Sequence, residues 1–336
     1  MRKIIIFLLV VFAQSALAVN LYDDKEQDNP QRPKVGLVLG GGGAKGAATV
    51  GVLKAIEETG IPIDYIAGTS IGAIVGGLWA CGVRSEQLEE LFLSQEWSSL
   101  LTDRNDSYKN QAWAEEDGVI YVFGFPITGK SKKEGKKGRK TIGIVHGDKI
   151  VQLLDSVSGF RDSMSFDELP IPFKCVAFDF TTGREVILDH GKLATAMRAS
   201  MAIPILFKPV ELDSMILLDG GVCNNLPVDV VKAMGADVVI AIDLTQNKHD
   251  DEKDKKYKKN LSFEGIADWL LTRPDKDKYD ANCADADVYI NPRLDGCDVL
   301  SFQPDKIKKM IDIGKQTGQK HRKALKRLKK KITKEK

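Results

Sequence analysis

Gly68-Thr69-Ser70-Ile71-Gly72 sets a serine between two glycines, where an apolar run at residues 63–67 gives way to a helical pattern at residues 71–80. A serine in a G-x-S-x-G turn between strand and helix can act as a nucleophile. The tight turn lifts its hydroxyl toward solvent, and bulky neighbours would clash where the backbone folds back. The helix starting there presents free N–H groups and its positive dipole end to negative charge that develops beside Ser70. The same five residues also suit a plain strand-to-helix turn with a serine N-cap.

Gly41-Gly42-Gly43-Ala44-Lys45-Gly46 matches G-x-G-x-x-G between another apolar run, residues 35–39, and a helical pattern at residues 44–59. The N–H groups of such a turn hold either a dinucleotide pyrophosphate or the oxyanion of an acyl-transfer intermediate. A dinucleotide site wants an acidic residue at the end of the next strand, where this chain has the serine turn instead. Nor does Ala44-Lys45-Gly46 supply the Gly-Lys-Ser/Thr of a phosphate loop. Two successive β-α turns place these donors and the serine at one edge of a parallel sheet, the edge where such folds carry their sites.

A nucleophilic serine needs a base, and the four histidines (His146, His190, His249 and His321) offer little, three of them lying in or beside loop-like or charged sequence. A carboxylate is the other candidate. Asp219-Gly220-Gly221 follows a short apolar run at residues 215–218. An aspartate at a strand end, followed by two glycines, can take the serine proton directly. An Asx-type turn is the alternative reading of Asp-Gly.

Two further segments complete an ordered set of motifs: Arg198-Ala199-Ser200-Met201-Ala202-Ile203-Pro204 and Asn224-Asn225-Leu226-Pro227. With the glycine-rich turn, the G-T-S-I-G elbow and Asp-Gly-Gly, they closely resemble the bacterial patatin-like phospholipases over roughly residues 33–328. That resemblance implies a catalytic dyad of Ser70 and Asp219 and an oxyanion hole built from backbone N–H groups of Gly41, Gly42, Gly43, Ala44, Lys45 and Gly46. It implies a three-layer α/β/α sandwich with a mostly parallel central sheet. The implied activity is hydrolysis of phospholipid or lysophospholipid acyl esters without calcium or another cofactor. Relatives often carry His where this chain has Thr49. Longer relatives carry an outer-membrane barrel after the hydrolase domain, and none is expected here. A catalytically idle member that binds lipid or a protein partner is the alternative.

The elements that must position these residues follow a β-α-β-α rhythm with short connections, which predicts a parallel sheet with helices on both faces. Further strands are predicted at residues 173–180, 215–218, 237–242 and 287–290, and helices at 191–199, 228–234 and 304–328. Residues 94–147 break the rhythm and include the basic tract 130–140. That tract and the charged stretch 247–260 are expected to be solvated loops, the basic one also a conceivable contact for anionic lipid surfaces. The hydrolase domain is therefore assigned to residues 34–328, with a basic tail at 329–336.

Arg2 and Lys3 precede an apolar run at residues 4–12, and Ala16-Leu17-Ala18 offers a small-x-small cleavage site. This predicts a signal peptide at residues 1–18, with an uncleaved N-terminal anchor as the alternative, a flexible leader at 19–33 and an exported protein, periplasmic or secreted or peripheral to the membrane. Of the 336 residues 43% are apolar, enough for a substantial core, and losing Arg2 and Lys3 leaves the remainder formally neutral. Nothing in that balance points to nucleic acid. The five cysteines form no C-x-x-C pair and no zinc spacing, so no metal site is expected; Cys283 and Cys297 are the candidate disulfide, with separate buried thiols as the alternative.

Overall fold

Eight strands form one sheet: β1 (Val35–Leu39), β2 (Tyr65–Thr69), β3 (Phe173–Asp179), β4 (Arg184–Leu188), β5 (Val210–Leu212), β6 (Met215–Asp219), β7 (Val238–Ile242) and β8 (Val288–Ile290). The computed structural model describes residues 32–103, 113–116, 119–122, 125–129, 145–204, 206–246 and 276–334. The expected signal peptide, nearly all of the leader, the tracts 130–140 and 247–260 and the last two residues lie outside them.

β1 and β7 are buried along their whole length because both faces are covered. Along β7, Ile240 and Ile242 join one apolar core while Val239 and Ala241 join a second, the period-two alternation of a strand between two helical layers. The first core takes its helical side from α1 (Gly46–Thr59), α2 (Ile71–Ala80), α3 (Ser85–Ser94), α4 (Asp148–Ser158), α5 (Leu193–Ser200) and, after two further helices, α8 (Pro304–Lys334). Those two, α6 (Val228–Ala233) and α7 (Lys276–Ala284), cover the other face. The chain is thus a three-layer α/β/α sandwich, as the resemblance implied. Cys297 packs into the first core and Cys283 against the second, on opposite sides of the sheet, and neither forms a disulfide.

The pairs β1–β2, β2–β3, β1–β7 and β7–β8 are parallel; β3–β4, β3–β6 and β5–β6 are antiparallel. One arrangement matters most for function. β4 occupies one edge of β3 from Cys175 to Asp179. The opposite edge is shared: β2 pairs with its first half, ending with Thr69 opposite Val176, and β6 arrives from the other direction, ending with Asp219 opposite Ala177. Two strands therefore finish head to head on adjacent positions of one neighbour, and the residues at their tips must meet.

Some elements depart from the sequence expectation. The second strand begins at Tyr65 because Asp64 is drawn into a connection: its carboxylate takes two bonds of 2.8 Å from Arg32, and its N–H donates to the Val35 carbonyl. Helix α8 runs through Lys334 rather than ending before a tail, since Ile332 continues its buried stripe. It packs closely along α1, with the backbone at Gly314 so near the Ala48 carbonyl that a Cβ there would sit 2.0 Å from the oxygen. The irregular middle contains a three-stranded antiparallel unit, Trp113–Glu116, Val119–Val122 and Phe125–Gly129.

Candidate active site

Ser70 follows β2 with φ 56° and ψ −124°, a backbone region that L residues rarely occupy. The surroundings enforce it. Its N–H donates to Ser200 Oγ at 2.9 Å, and the Ser200 hydroxyl donates onward to the Val176 carbonyl at 2.6 Å. The Ser70 carbonyl accepts from the N–H groups of Ala73 and Ile74 in the first turn of α2. A Cβ on Gly72 would lie 2.0 Å from the Leu39 carbonyl oxygen, and one on Gly68 would lie 2.5 Å from that of Gly72. Both glycines of the elbow are thus demanded by backbone approaching backbone.

The Ser70 hydroxyl donates to Asp219 Oδ2 at 2.7 Å. Asp219 is fully buried; its Oδ1 accepts the Gly221 N–H at 2.7 Å and its own N–H donates to the Ala202 carbonyl. The Asp-Gly-Gly turn therefore has the Asx character considered above, and it also presents its other carboxylate oxygen to the serine. Burial pushes the Asp219 carboxyl up to about 7, opposed by the hydrogen bonds from Ser70 and Gly221 and by the positive charge of Arg198. A carboxylate with that affinity for protons can both take one from an attacking hydroxyl and return it at neutral pH.

The glycine-rich turn lies against this pair: the point where a Gly41 Cβ would stand is 3.2 Å from Ser70 Cβ. Its donors divide into two groups. The N–H of Gly41 is taken by the Asn225 carbonyl, that of Ala44 by Val299 and that of Lys45 by Gly42. Those of Gly42 and Gly43 have no acceptor among the described residues. Of the histidines, His190 pairs with Asp189, the His321 ring contacts the Thr317 carbonyl, and His146 offers its backbone carbonyl to Arg198. His249 is outside the described residues.

Beside Ser70 and Gly43 opens a pocket of about 740 Å3, its mouth included. Its walls come from α2 (Ile71, Ile74), α3 (Leu91, Phe92), Trp97, Leu100 and Leu101, α4 (Ile150, Leu153, Leu154), Met201, Ile203, Leu206 and Phe207, and Val299, Leu300 and Phe302. Ser70 is the one hydroxyl-bearing residue in that lining. Such a wall offers an acyl chain about 0.8 kcal/mol for each methylene buried.

A family model described as patatin-like phospholipase matches residues 37–232. The chain belongs to the patatin-like phospholipase family. An uncharacterized NTE family protein of Mycobacterium tuberculosis is 34% identical over 212 residues, covering 63% of this chain and 49% of that protein. Neuropathy target esterase sws of Drosophila melanogaster is 35% identical over 239 residues, 70% of this chain and 14% of its own. The chain thus spans about half the length, or less, of these curated relatives. Among solved structures, VipD from Legionella pneumophila aligns with a TM-score of 0.45 at 15% identity, covering 88% of this chain and 67% of that one. The type III effector ExoU gives 0.44 at 16% identity, with 88% and 53% covered.

Within this patatin-like domain the structure brings Ser70, Asp219 and the Gly41–Gly43 backbone together. Ala44, Lys45 and Gly46 turn away into the start of α1, with all three N–H groups already engaged. Sequence reasoning quoted Ser200, Arg198 and Asn225 without giving them tasks. Ser200 supports the elbow; Arg198, 2% exposed, donates to the His146 and Lys208 carbonyls and lies 4.8 Å from the Phe207 ring. Its order within Arg-Ala-Ser-Met-Ala-Ile-Pro was the available signal. The pocket walls from α3, α4 and residues 299–302 had none, being ordinary apolar positions. Thr49, in the place where relatives often carry His, is fully buried, and nothing in the structure explains why its hydroxyl has no partner among the described residues.

Proposed function

We propose that this chain is an exported lipid acyl hydrolase that cleaves carboxylic ester bonds of phospholipids or lysophospholipids. The observation that carries the reading is the 2.7 Å bond from Ser70 Oγ to a buried carboxylate at the mouth of an apolar pocket. Ser70 attacks the acyl carbonyl while Asp219 Oδ2 takes its proton, and the carbonyl oxygen becomes an oxyanion facing the N–H groups of Gly42 and Gly43. Collapse of the tetrahedral adduct breaks the ester C–O bond, and the departing alcohol takes the proton back from Asp219. Water, deprotonated by Asp219, then attacks the acyl-enzyme; the fatty acid leaves and the proton returns to Ser70.

Two features support a chain of apolar methylenes as the acyl part: the absence of polar side chains from the described lining except Ser70, and a pocket that begins at the nucleophile. The family supports the lipid class. Export rests on the signal-like start of the sequence and would be tested by fractionating cells that make the tagged full chain.

Fatty-acid release from lysophospholipid and from short-chain acyl esters tests the activity, with Ser70→Ala and Asp219→Asn as controls checked for folding. Release by the wild type and loss in both variants is the expected result. A folded wild type inert on every ester, and unreactive toward a fluorophosphonate, would replace this reading with that of a lipid- or partner-binding member.

A further inference from the structure

The Asn224-Asn225 segment touches both turns of the site, and the mechanism above leaves it without a role. The Asn224 carbonyl accepts the hydroxyl of Thr69, the residue before the nucleophile, at 2.8 Å. The Asn225 carbonyl accepts the Gly41 N–H at 3.1 Å, and its carboxamide nitrogen makes a long 3.5 Å contact back to the Gly41 carbonyl. Gly41 is therefore gripped at both its donor and its acceptor by one residue. The same carboxamide nitrogen donates to the Thr245 hydroxyl at 3.3 Å.

Packing narrows the geometry further. Asn225 is 6% exposed, and its Oδ1, which has no hydrogen-bond partner among the described residues, lies 2.3 Å from the point where a side chain on Gly41 would begin. That point is also 3.2 Å from Ser70 Cβ. Gly41 is thus wedged between the Asn225 carboxamide and the nucleophile, and the two free N–H groups of the turn follow it directly in the chain. A displaced Gly41 carries them away from the oxyanion.

We infer that Asn225 is a positioning residue: it sets the separation between the glycine turn and Ser70, and Thr245 holds its carboxamide in the required orientation. The role presupposes the acyl-hydrolase reading above. Misplacing a reacting geometry by about 1 Å costs on the order of a hundredfold in rate. A residue that moves only the oxyanion donors acts on kcat and leaves ground-state binding of the acyl chain alone.

The test is steady-state hydrolysis of a short-chain p-nitrophenyl ester by the full chain, in wild type, Ser70→Ala, Asn225→Ala, Thr245→Val and the Asn225→Ala/Thr245→Val double variant. Inhibition by an alkyl trifluoromethyl ketone, whose adduct with Ser70 carries an oxyanion, is measured alongside. Asn225→Ala is expected to lower kcat about 10- to 100-fold with KM within about twofold, and to weaken the ketone by the same factor as kcat/KM. Thr245→Val should lose about three- to tenfold, and the double variant should be no worse than Asn225→Ala alone. Wild-type kcat and ketone affinity in Asn225→Ala, with Ser70→Ala dead, would overturn this role and leave the hydrolase reading standing. No ester hydrolysis by the wild type would bring down both. Should Asn225→Ala fail to fold, Thr245→Val decides, and an unchanged kcat in it overturns the role.

Discussion

The two residues of the proposed dyad, joined by a hydrogen bond, are held at the same point of the sheet by opposite means. Ser70 sits on a strained backbone, φ 56°, locked by close glycine packing, with its hydroxyl facing a pocket. Asp219 sits on an ordinary backbone, φ −53° and ψ 127°, and is instead strained electrostatically, with a fully buried carboxyl that holds its proton up to about 7. One end stores conformational energy and the other desolvation energy. The Ser70 end should therefore be intolerant of backbone change and indifferent to pH. The Asp219 end should instead respond to pH through its buried carboxyl.

Removing either reacting group should have the largest effect. Ser70→Ala and Asp219→Asn are each expected to lower kcat on a short-chain ester about 10⁴-fold or more, as the loss of a single member does in serine hydrolases generally. They should part company in stability. Asp219→Asn removes a buried ionisable group and should gain stability at pH 8 in urea unfolding, whereas Ser70→Ala keeps the strained backbone and withdraws one hydrogen bond from Asp219. Equal stability changes at pH 8 would erase the distinction between the two ends.

Next in size is the backbone of the elbow. A methyl at Gly72 would stand 2.0 Å from the Leu39 carbonyl, which belongs to a central strand and cannot step aside. Gly72→Ala is expected to cost about 3 kcal/mol or more, or to prevent folding outright, read by urea unfolding or by recovery of soluble protein. The corresponding change after the aspartate is instructive: a Cβ at Gly220 would stand 2.2 Å from the Val176 carbonyl. Gly220→Ala should be comparably damaging, because β3 is the strand against which both tips end. A benign Gly72→Ala would mean that the elbow relaxes readily and that Ser70 carries little strain.

How far this site was legible in the sequence follows from the same division. The elbow and the glycine turn are local: strand, turn and helix are consecutive in the chain, so the glycine spacing announced them, and α2 begins and ends at the predicted residues. The partnership of Ser70 with Asp219 spans 149 residues, and neither spacing nor periodicity carries it. Asp-Gly-Gly alone favours a turn, and the resemblance supplied the pairing. What the sequence could not express is the head-to-head ending of β2 and β6 on β3, because antiparallel β6 shares with parallel β2 the same edge of β3. β5 and β4 were missed for a related reason: three residues of Val-Glu-Leu and the half-exposed Arg-Glu-Val-Ile-Leu are too short or too mixed to show a period. The pocket walls went unread since Leu153 or Phe302 look like any core residue until helices from distant parts of the chain converge.

Titration is the third test, and its sign is set by Asp219. The carboxyl must be ionised to accept the serine proton, so kcat/KM should rise about tenfold per pH unit below a midpoint near 7 and level off above it. Stability moves in the opposite sense. The folded carboxyl keeps its proton up to about 7, whereas an unperturbed one releases it near 3.8, so its stabilising contribution is complete below 3.8 and is lost as pH rises through 7. Asp219→Asn should lack this decline. A rate profile already flat from pH 5 upward would show that the carboxyl is not desolvated as its burial implies.

The smallest expected effect is the most direct measure of the strain itself. Ser70→Gly and Ser70→Ala both delete the hydroxyl and leave Asp219 with the same missing partner, so their difference isolates the backbone. At φ 56° and ψ −124° glycine is at ease while alanine is not. Strained positions of this kind cost about 1–3 kcal/mol, from which the greater chain entropy that glycine loses on folding must be subtracted. Ser70→Gly should therefore be more stable than Ser70→Ala by about 1 kcal/mol in urea unfolding at any pH, because no ionisation enters the comparison. If Ser70→Ala proves the more stable, the elbow is a relaxed turn. The fixing of Ser70 must then be credited to its bond with Ser200, and Ser200→Ala, which leaves the Ser70 N–H and the Val176 carbonyl buried and unpaired, becomes the substitution that should loosen it.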